Sequence, residues 1–368
     1  MSTLSKSPVR VARQALAIGA QRLRLYAHRF SPKKFTQPQL FACLVLKTFF
    51  KTDYRGISQQ LVDHSDLRTV LNLKTVPHFT TLHKASKRLL RLARARRLFT
   101  ATVHRFLKRR RRLRRAALDS TGLECGHRSS YYVRRRNGTL KRWQTVTYSR
   151  YAKLEAAFDC QSHLLVGVLV GRGPRVDTDR FVPLLDDTLT RVQLDAALAD
   201  AGYDSEPNHR YARETRGVRS FIPATAGRPT TKPPTGKYRR QMKQRLNKTY
   251  GAYGQRWQGE TGFSMIKRRL TSTVHGRTYW SQCREMLLIA ITYNIMLLYL
   301  ITGFLQSRSG VFLGKRDDYP SALDYGHKND ARPERKRKLR PMRVGVEHFA
   351  HTAAQRAAPT LFFTVTVL

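Results

Sequence analysis

Three acids in this sequence stand where they could do chemistry. Asp119 ends the run "RRAALDS", Asp200 ends a run within "LDAALADAGYDS", and Glu260 lies in "YGQRWQGETGFSMIK". The first two close short apolar segments, and strand ends are where α/β folds place their sites. They are far apart in the chain, so only folding can unite them. Three carboxylates gathered among arginines are costly unless cations neutralise them. Hard cations that accept oxygen ligands and bound water are Mg²⁺ or Mn²⁺. Two such ions, about 4 Å apart, clamp an in-line phosphoryl displacement: one activates the attacking oxygen and the other stabilises the leaving one. Each acid also has a plainer reading. Asp119 could be a turn residue and Asp200 a cap of "AGYDS". Glu260 could pair with Arg256 or Lys267, for roughly a few tenths of a kcal/mol. Asp159 reads as hairpin-turn chemistry, and Asp177, Asp179, Asp186 and Asp187 as helix caps and a solvated face.

The surrounding charge narrows the partner. The 368 residues carry 70 Lys and Arg against 24 Asp and Glu, a formal net charge of +46. Such a field repels copies of itself and calls for a polyanion, of which nucleic acid is the commonest. A content of 41% hydrophobic and 10% aromatic residues excludes wholesale disorder. Cys43, Cys125, Cys160 and Cys283 form no C-x-x-C pair and read as small buried hydrophobes in a reducing compartment. The basic N-terminus lacks a continuous apolar stretch, so no secretory signal is expected. The uncharged stretch "LLIAITYNIMLLYLITGFL" is long enough to span a bilayer. Its Thr292, Tyr293 and Asn294 instead favour a helix buried inside the protein, with no membrane partner.

The elements that must position the acids follow from period and punctuation. Residues 1–35 read as a basic, partly helical arm. Residues 36–105 read as all-helical: "TQPQLFACLVLKTFF" begins at a Thr36 cap, "DYRGISQQLVDH" is a second helix, and Pro77 forces a break before "VPHFTTLHKASKRLLRLA". Short helix, turn and basic helix is the shape of a helix-turn-helix DNA reader, which would present Thr80, Thr81, His83, Lys84 and Lys87. The arginine run that holds Arg110 and Arg111 reads as a phosphate-tracking surface. From about residue 106 to 305 the texture is α/β. A strand precedes a hairpin over "RWQTVTYSRYAKLEAAFD" and "HLLVGVLVGRG"; helices and strands then alternate, and long helices are expected over 250–270 and 280–305. A Pro- and Gly-rich basic loop covers about 224–245. Residues 306–368 read as a basic, poorly ordered tail.

At the three acids the sequence resembles the DDE transposases of bacterial insertion sequences. Their signature, Y-x-x-R, three residues, E, six residues, K, is met without a gap by Tyr253, Arg256, Glu260 and Lys267. "LDSTGLE" looks like the family's first-aspartate strand and "ADAGYDS" like its second. The resemblance covers about 36–305. It implies an α/β, ribonuclease H-like mixed sheet flanked by helices, with an all-α N-terminal DNA-binding region. It puts two Mg²⁺ or Mn²⁺ ions on Asp119, Asp200 and Glu260. Tyr253, Arg256 and Lys267, with the adjoining Arg268, would contact DNA near the cut. Spacings of 3, 4 and 7 set the signature on one helical face. Trp257 remains open between core and stacking wall. The activity implied is cut-and-paste transposition: cleavage at terminal inverted repeats of double-stranded DNA, then strand transfer into target DNA. Two copies would act together, in a prokaryotic cytoplasm at the nucleoid. The rivals are a nuclease of the same core without strand joining, and a non-catalytic basic nucleic-acid-binding protein.

Overall fold

A computed structural model describes residues 4–108, 111–126, 151–173, 175–224, 233–246 and 250–298. Arg110, the first part of the expected hairpin, the middle of the basic loop and the tail 306–368 lie outside them.

The site-bearing sheet grows from strand β2 (Ala116–Cys125), preceded by the two-residue β1 (Arg112–Leu113). Strands β3 (Tyr151–Asp159) and β4 (Leu165–Gly173) make an antiparallel hairpin that pairs with β2 on one side. On the other side β6 (Ala196–Ala199) runs parallel to β2, and β7 (Arg219–Phe221) parallel to β6. Short β5 (Gln193–Leu194) pairs with β1, and β8 (Thr273–Val274) with the far end of β2. The order β4-β3-β2-β6-β7, with its antiparallel hairpin and parallel half, is ribonuclease H-like. The "AALA" of β6 is buried throughout, as a parallel strand covered on both faces must be.

Six helices precede the sheet: α1 (Pro8–Arg22), α2 (Gln37–Phe49), α3 (Tyr54–Asp63), α4 (Ser65–Val70), α5 (Phe79–Leu89) and α6 (Leu92–Leu107). Thr36 opens α2 with a capping box closed by Gln39. Helix α5 buries Leu82, Ala85, Ser86 and Leu89 and leaves Thr80, His83, Lys84 and Lys87 exposed. The segment expected as an arm holds α1, whose Val11, Ala12, Ala15 and Ile18 are buried against α2 and α6.

After the sheet begins, α7 (Phe181–Leu189) covers β4. Helix α8 (Glu206–Arg210) runs into a π-helical turn over Tyr211–Thr215, and α9 (Lys237–Arg245) follows the basic loop. The continuous helix expected over 250–270 is interrupted. Helix α10 (Tyr250–Tyr253) passes through a 3₁₀ turn (Gly254–Arg256) into α11 (Trp257–Arg269).

Helix α12 (Tyr279–Leu297) is the long apolar one, buried from Met286 to Leu297. Asn294 and Tyr293 are satisfied inside the protein, whereas the buried Thr292 Oγ1 makes no hydrogen bond among the described residues. The Asn294 amide accepts from the Leu165 N–H at 3.0 Å and donates to the Leu165 carbonyl at 2.9 Å and to Thr102 Oγ1 at 3.0 Å. The Tyr293 hydroxyl donates to the His163 carbonyl at 3.0 Å. Among the described residues no helix is long and apolar enough to cross a membrane. Helix α12 packs on α2, α6 and β4, so one apolar core runs from the N-terminal helices into the sheet.

Candidate active site

The last parallel pair between β2 and β6 is Leu118 with Ala199. The next residue on β2 is Asp119, which was expected to end its strand but lies within it, opposite Ala156 of β3. Asp200 directly follows β6, so the two aspartates stand side by side where the parallel pairing stops. Asp119 is half-buried and its Oδ1 accepts from the Ser120 N–H at 2.8 Å. Asp200 is exposed and caps the turn after β6, accepting from the Ala201 N–H at 2.7 Å.

Helix α11 brings the third acid. It lies against β2 and β3 through glycines. A Cβ at Gly259 would stand 3.3 Å from Asp119 Cβ and 3.7 Å from its Oδ2, and one at Gly262 would stand 2.3 Å from the Phe158 ring. No larger residue fits at Gly262 without moving the helix. Gly259 sets the helix backbone against Asp119 one residue before Glu260. Glu260 sits in the first turn of α11, where the helix dipole favours an acid, and Lys267 and Arg268 in the last, where it favours a base.

The electrostatics join the three acids. The Asp119 carboxyl is pushed up to about 6, chiefly by burial, with the carboxylates of Asp200 and Glu260 adding to it; the Ser120 N–H and Arg256 work against the rise. A carboxyl so placed gains from a cation within reach. The donor set is all oxygen and suits a hard divalent ion. It is not drawn together as a ready cage: among the described residues no three His, Cys, Asp or Glu side chains lie close enough to hold a metal. Glu260, expected to be partnered mainly by metal, is taken by Arg256 through Nη2 and Oε1 at 2.5 Å, the i−4 alternative. Its side chain is largely exposed.

The other signature residues divide. Tyr253 is half-buried against a small apolar cluster that includes Ala117, Leu198 and Phe221. It ends α10 and Arg256 lies in the 3₁₀ turn, so the signature does not share one uninterrupted helical face. Lys267 is half-buried and Arg268 exposed. Trp257 is 55% exposed, which removes the core reading. Arg111 is exposed, and its neighbour Arg112 pairs with Asp195 at 2.8 Å. Thr80, Thr81, Lys84 and Lys87 stand on α5, away from the carboxylates in sequence and element.

A second polar layer lies beside Asp119 and was not foreseen. Asp177, read as a cap or solvated acid, makes no capping bond. Its Oδ1 accepts from Lys153 Nζ at 2.5 Å and from Ser120 Oγ at 3.1 Å. Lys153 and Glu155 are buried on β3, and Glu155 accepts from Arg180 Nε at 2.7 Å. Thr178 Oγ1 donates to the Gly202 carbonyl at 3.0 Å, and Asn208 Nδ2 to the carbonyls of Thr178 and Tyr203 at 2.9 Å. The turn that carries Asp200 is therefore tied to the segment that carries Asp177. The available signal was Lys153 and Glu155, two charges inside the otherwise apolar run "YAKLEAAF" of β3. Asp187 is likewise not solvated. It pairs with the buried Arg191 at 2.7 Å and accepts from the Val168 N–H, because α7 lies so close to β4. Asp186 accepts from the Tyr211 hydroxyl. Asp159 accepts from the Ser162 N–H at 3.0 Å, as a hairpin turn requires, and Asp179 is exposed.

Comparison with curated proteins gives no match. A family model described as the transposase DDE domain matches residues 110–295, half of the chain and all of the sheet just described. The side-by-side aspartates Asp119 and Asp200, the glycine-seated helix with Glu260 and this match agree: the chain belongs to the transposase DDE-domain family.

Proposed function

We propose that this protein is a cut-and-paste transposase acting on double-stranded DNA, with Asp119, Asp200 and Glu260 as its catalytic carboxylates. The observation that carries the reading is the β2–β6 register, which sets two aspartates side by side where the parallel pairing stops, under the helix bearing the glutamate. Asp119 and Asp200 would hold Mg²⁺ or Mn²⁺, joined by Glu260 once it turns from Arg256. Two bound ions would supply Lewis-acid stabilisation to the attacking and leaving oxygens. Released from Glu260, the Arg256 guanidinium can bind a phosphate oxygen beside the scissile bond, with Lys267 and Arg268 farther along. Tyr253 borders the same edge. Arg111 and the exposed face of α5, with Thr80, Thr81, Lys84 and Lys87, offer donors to the DNA backbone and grooves.

In the first step water adds to phosphorus at the element's end, the P–O3′ bond breaks, and a 3′-hydroxyl is left. In the second that hydroxyl adds to a target phosphorus and displaces another 3′ oxygen, so strand joining needs no further cofactor. Two ends must meet, which favours two copies on DNA. The setting is a prokaryotic cytoplasm, at the nucleoid.

The test uses purified protein, DNA bearing the element's terminal repeats, and Mg²⁺. Cleaved and joined products are expected, both lost in Asp119→Asn. Cleavage without joined product would favour the nuclease. Unchanged metal-dependent cleavage by Asp119→Asn would overturn the site.

A further inference from the structure

A cavity of about 450 Å³ opens where the N-terminal helices meet the start of α12, apart from the three carboxylates. Its wall presents Lys47 and Lys51 from α2 and its end, His83 and Lys87 from α5, and Arg277 and Arg284 from the start of α12. One carboxylate, Glu285, also lines it, but its oxygens are engaged. Oε2 accepts the N–H groups of His275 and Gly276, each at 2.9 Å, and Oε1 faces His275 Nδ1 at 3.5 Å. These bonds fix the turn that carries Arg277. Gly276 is needed there, since a Cβ would stand 2.7 Å from Ser281 Oγ and 2.8 Å from the backbone of Gln282. The cationic wall is thus built on fixed backbone. Burial holds the Lys47 ammonium below the ordinary lysine range, only partly countered by Glu285 and Asp53. Cations drawn together and partly dehydrated leave a field that an anion relieves.

The position of the cavity selects the anion. Lys51 Nζ donates to the Arg268 carbonyl at 2.9 Å, which joins the end of α2 to the end of α11. The cavity also reaches Leu270 and Thr271, just past α11. It therefore lies on the path between the exposed face of α5 and the helix that carries Glu260. We propose that this cleft binds the phosphodiester backbone of a DNA strand passing between the N-terminal helices and the catalytic sheet, with Arg277 and Arg284 as its principal phosphate ligands. This rests on the transposase reading above. A free nucleotide carries the same phosphate chemistry and is the other source to be distinguished.

The experiment measures binding of a DNA duplex bearing the element's end, across a range of salt, for the wild-type chain and for Arg277→Gln/Arg284→Gln. Loss of two phosphate contacts should lower the slope of log K against log salt by about 2 and weaken binding about tenfold or more near 0.1 M salt. Matching circular dichroism and thermal midpoints would show the double variant folded. Arg277→Cys carrying an iron chelate gives a second readout that leaves Arg284 in place. Hydroxyl-radical scission of the duplex should concentrate at one backbone position, above the background of identically treated wild type. If wild type binds the duplex but the variant's slope and affinity are unchanged and the tethered iron cuts nowhere above background, the cleft proposal is wrong and the transposase reading stands. ATP is titrated into both proteins in parallel: if the variant loses ATP binding but keeps the full DNA slope, the cleft is a nucleotide site and the DNA assignment is overturned. If wild type binds no DNA, the wider reading fails first.

Discussion

The Lys153 ammonium, almost wholly buried, donates to the Asp177 carboxylate at 2.5 Å on the strand next to the one that carries Asp119. Asp177 also holds Ser120, so the pair braces the residue that follows the first aspartate.

Removing one member of a buried ion pair leaves an uncompensated charge, which costs about 3–5 kcal/mol. Asp177 is about one-third exposed, so Lys153→Met is expected to cost somewhat less, about 2–3 kcal/mol, in urea denaturation. Lys153→Met/Asp177→Leu should recover much of that loss. A double variant no more stable than Lys153→Met would show that the pair does not act as a unit.

Asp119 should couple stability to pH. Its folded-state value is raised from 3.8 to about 6. The carboxyl is therefore most at ease in the fold when protonated. Its favourable contribution is fully present below pH 4, declines between pH 4 and 6, and is gone above. The rise corresponds to about 3 kcal/mol across that window. In metal-free buffer Asp119→Asn should stabilise the protein at pH 8 relative to wild type by more than at pH 4. Guanidinium denaturation at the two pH values checks this. Mg²⁺ should raise the wild-type midpoint at pH 8 and leave that of Asp119→Asn nearly unmoved.

Arg256 and Glu260 test an exposed pair against a catalytic one. Glu260 is 58% exposed in its side chain, so breaking the pair should change stability by less than about 1 kcal/mol. Arg256→Gln is nevertheless expected to lower DNA cleavage at least about tenfold, through loss of a charge-assisted phosphate contact. Equal loss of stability and activity, followed by thermal melting and a gel assay, would assign Arg256 a purely structural part.

Gly262 tests the seating of α11. An added methyl would meet the Phe158 ring at 2.3 Å. Gly262→Ala should destabilise by about 1–3 kcal/mol and shift Glu260 with the helix, so that cleavage falls beyond what stability alone predicts. Unaltered cleavage in a fully folded variant would detach the helix position from catalysis.

The strands at Asp119 and Asp200 were readable because each opens as a short apolar run before an acid, although β2 continues past Asp119 to Cys125, and Thr36 and Pro77 marked helix boundaries through local chemistry. The burial of α12 was readable because Asn294 and Tyr293 need partners a membrane cannot offer. The layer at Lys153, Glu155 and Asp177 was not. Its partners come from separate elements, and only the β2–β3 register decides that Ser120 stands opposite Glu155. The 3₁₀ turn before Trp257 was also hidden, since Tyr253 and Arg256 keep helical spacing while the backbone tightens between them. Asp187 looked solvated because nothing local announces the N–H of Val168 above it.

The bridge made by Asn294 has an outcome for biosynthesis. Its amide joins Thr102 of α6 to Leu165 of β4, and it lies near the end of the last described helix. A growing chain that has delivered the N-terminal helices and both aspartates still lacks the segment that welds them. Translation halted before α12 would leave the faces of α2, α6 and β4 that it covers open to water and to chaperones. The sheet and the N-terminal helices are then joined only once α12 has emerged from the ribosome.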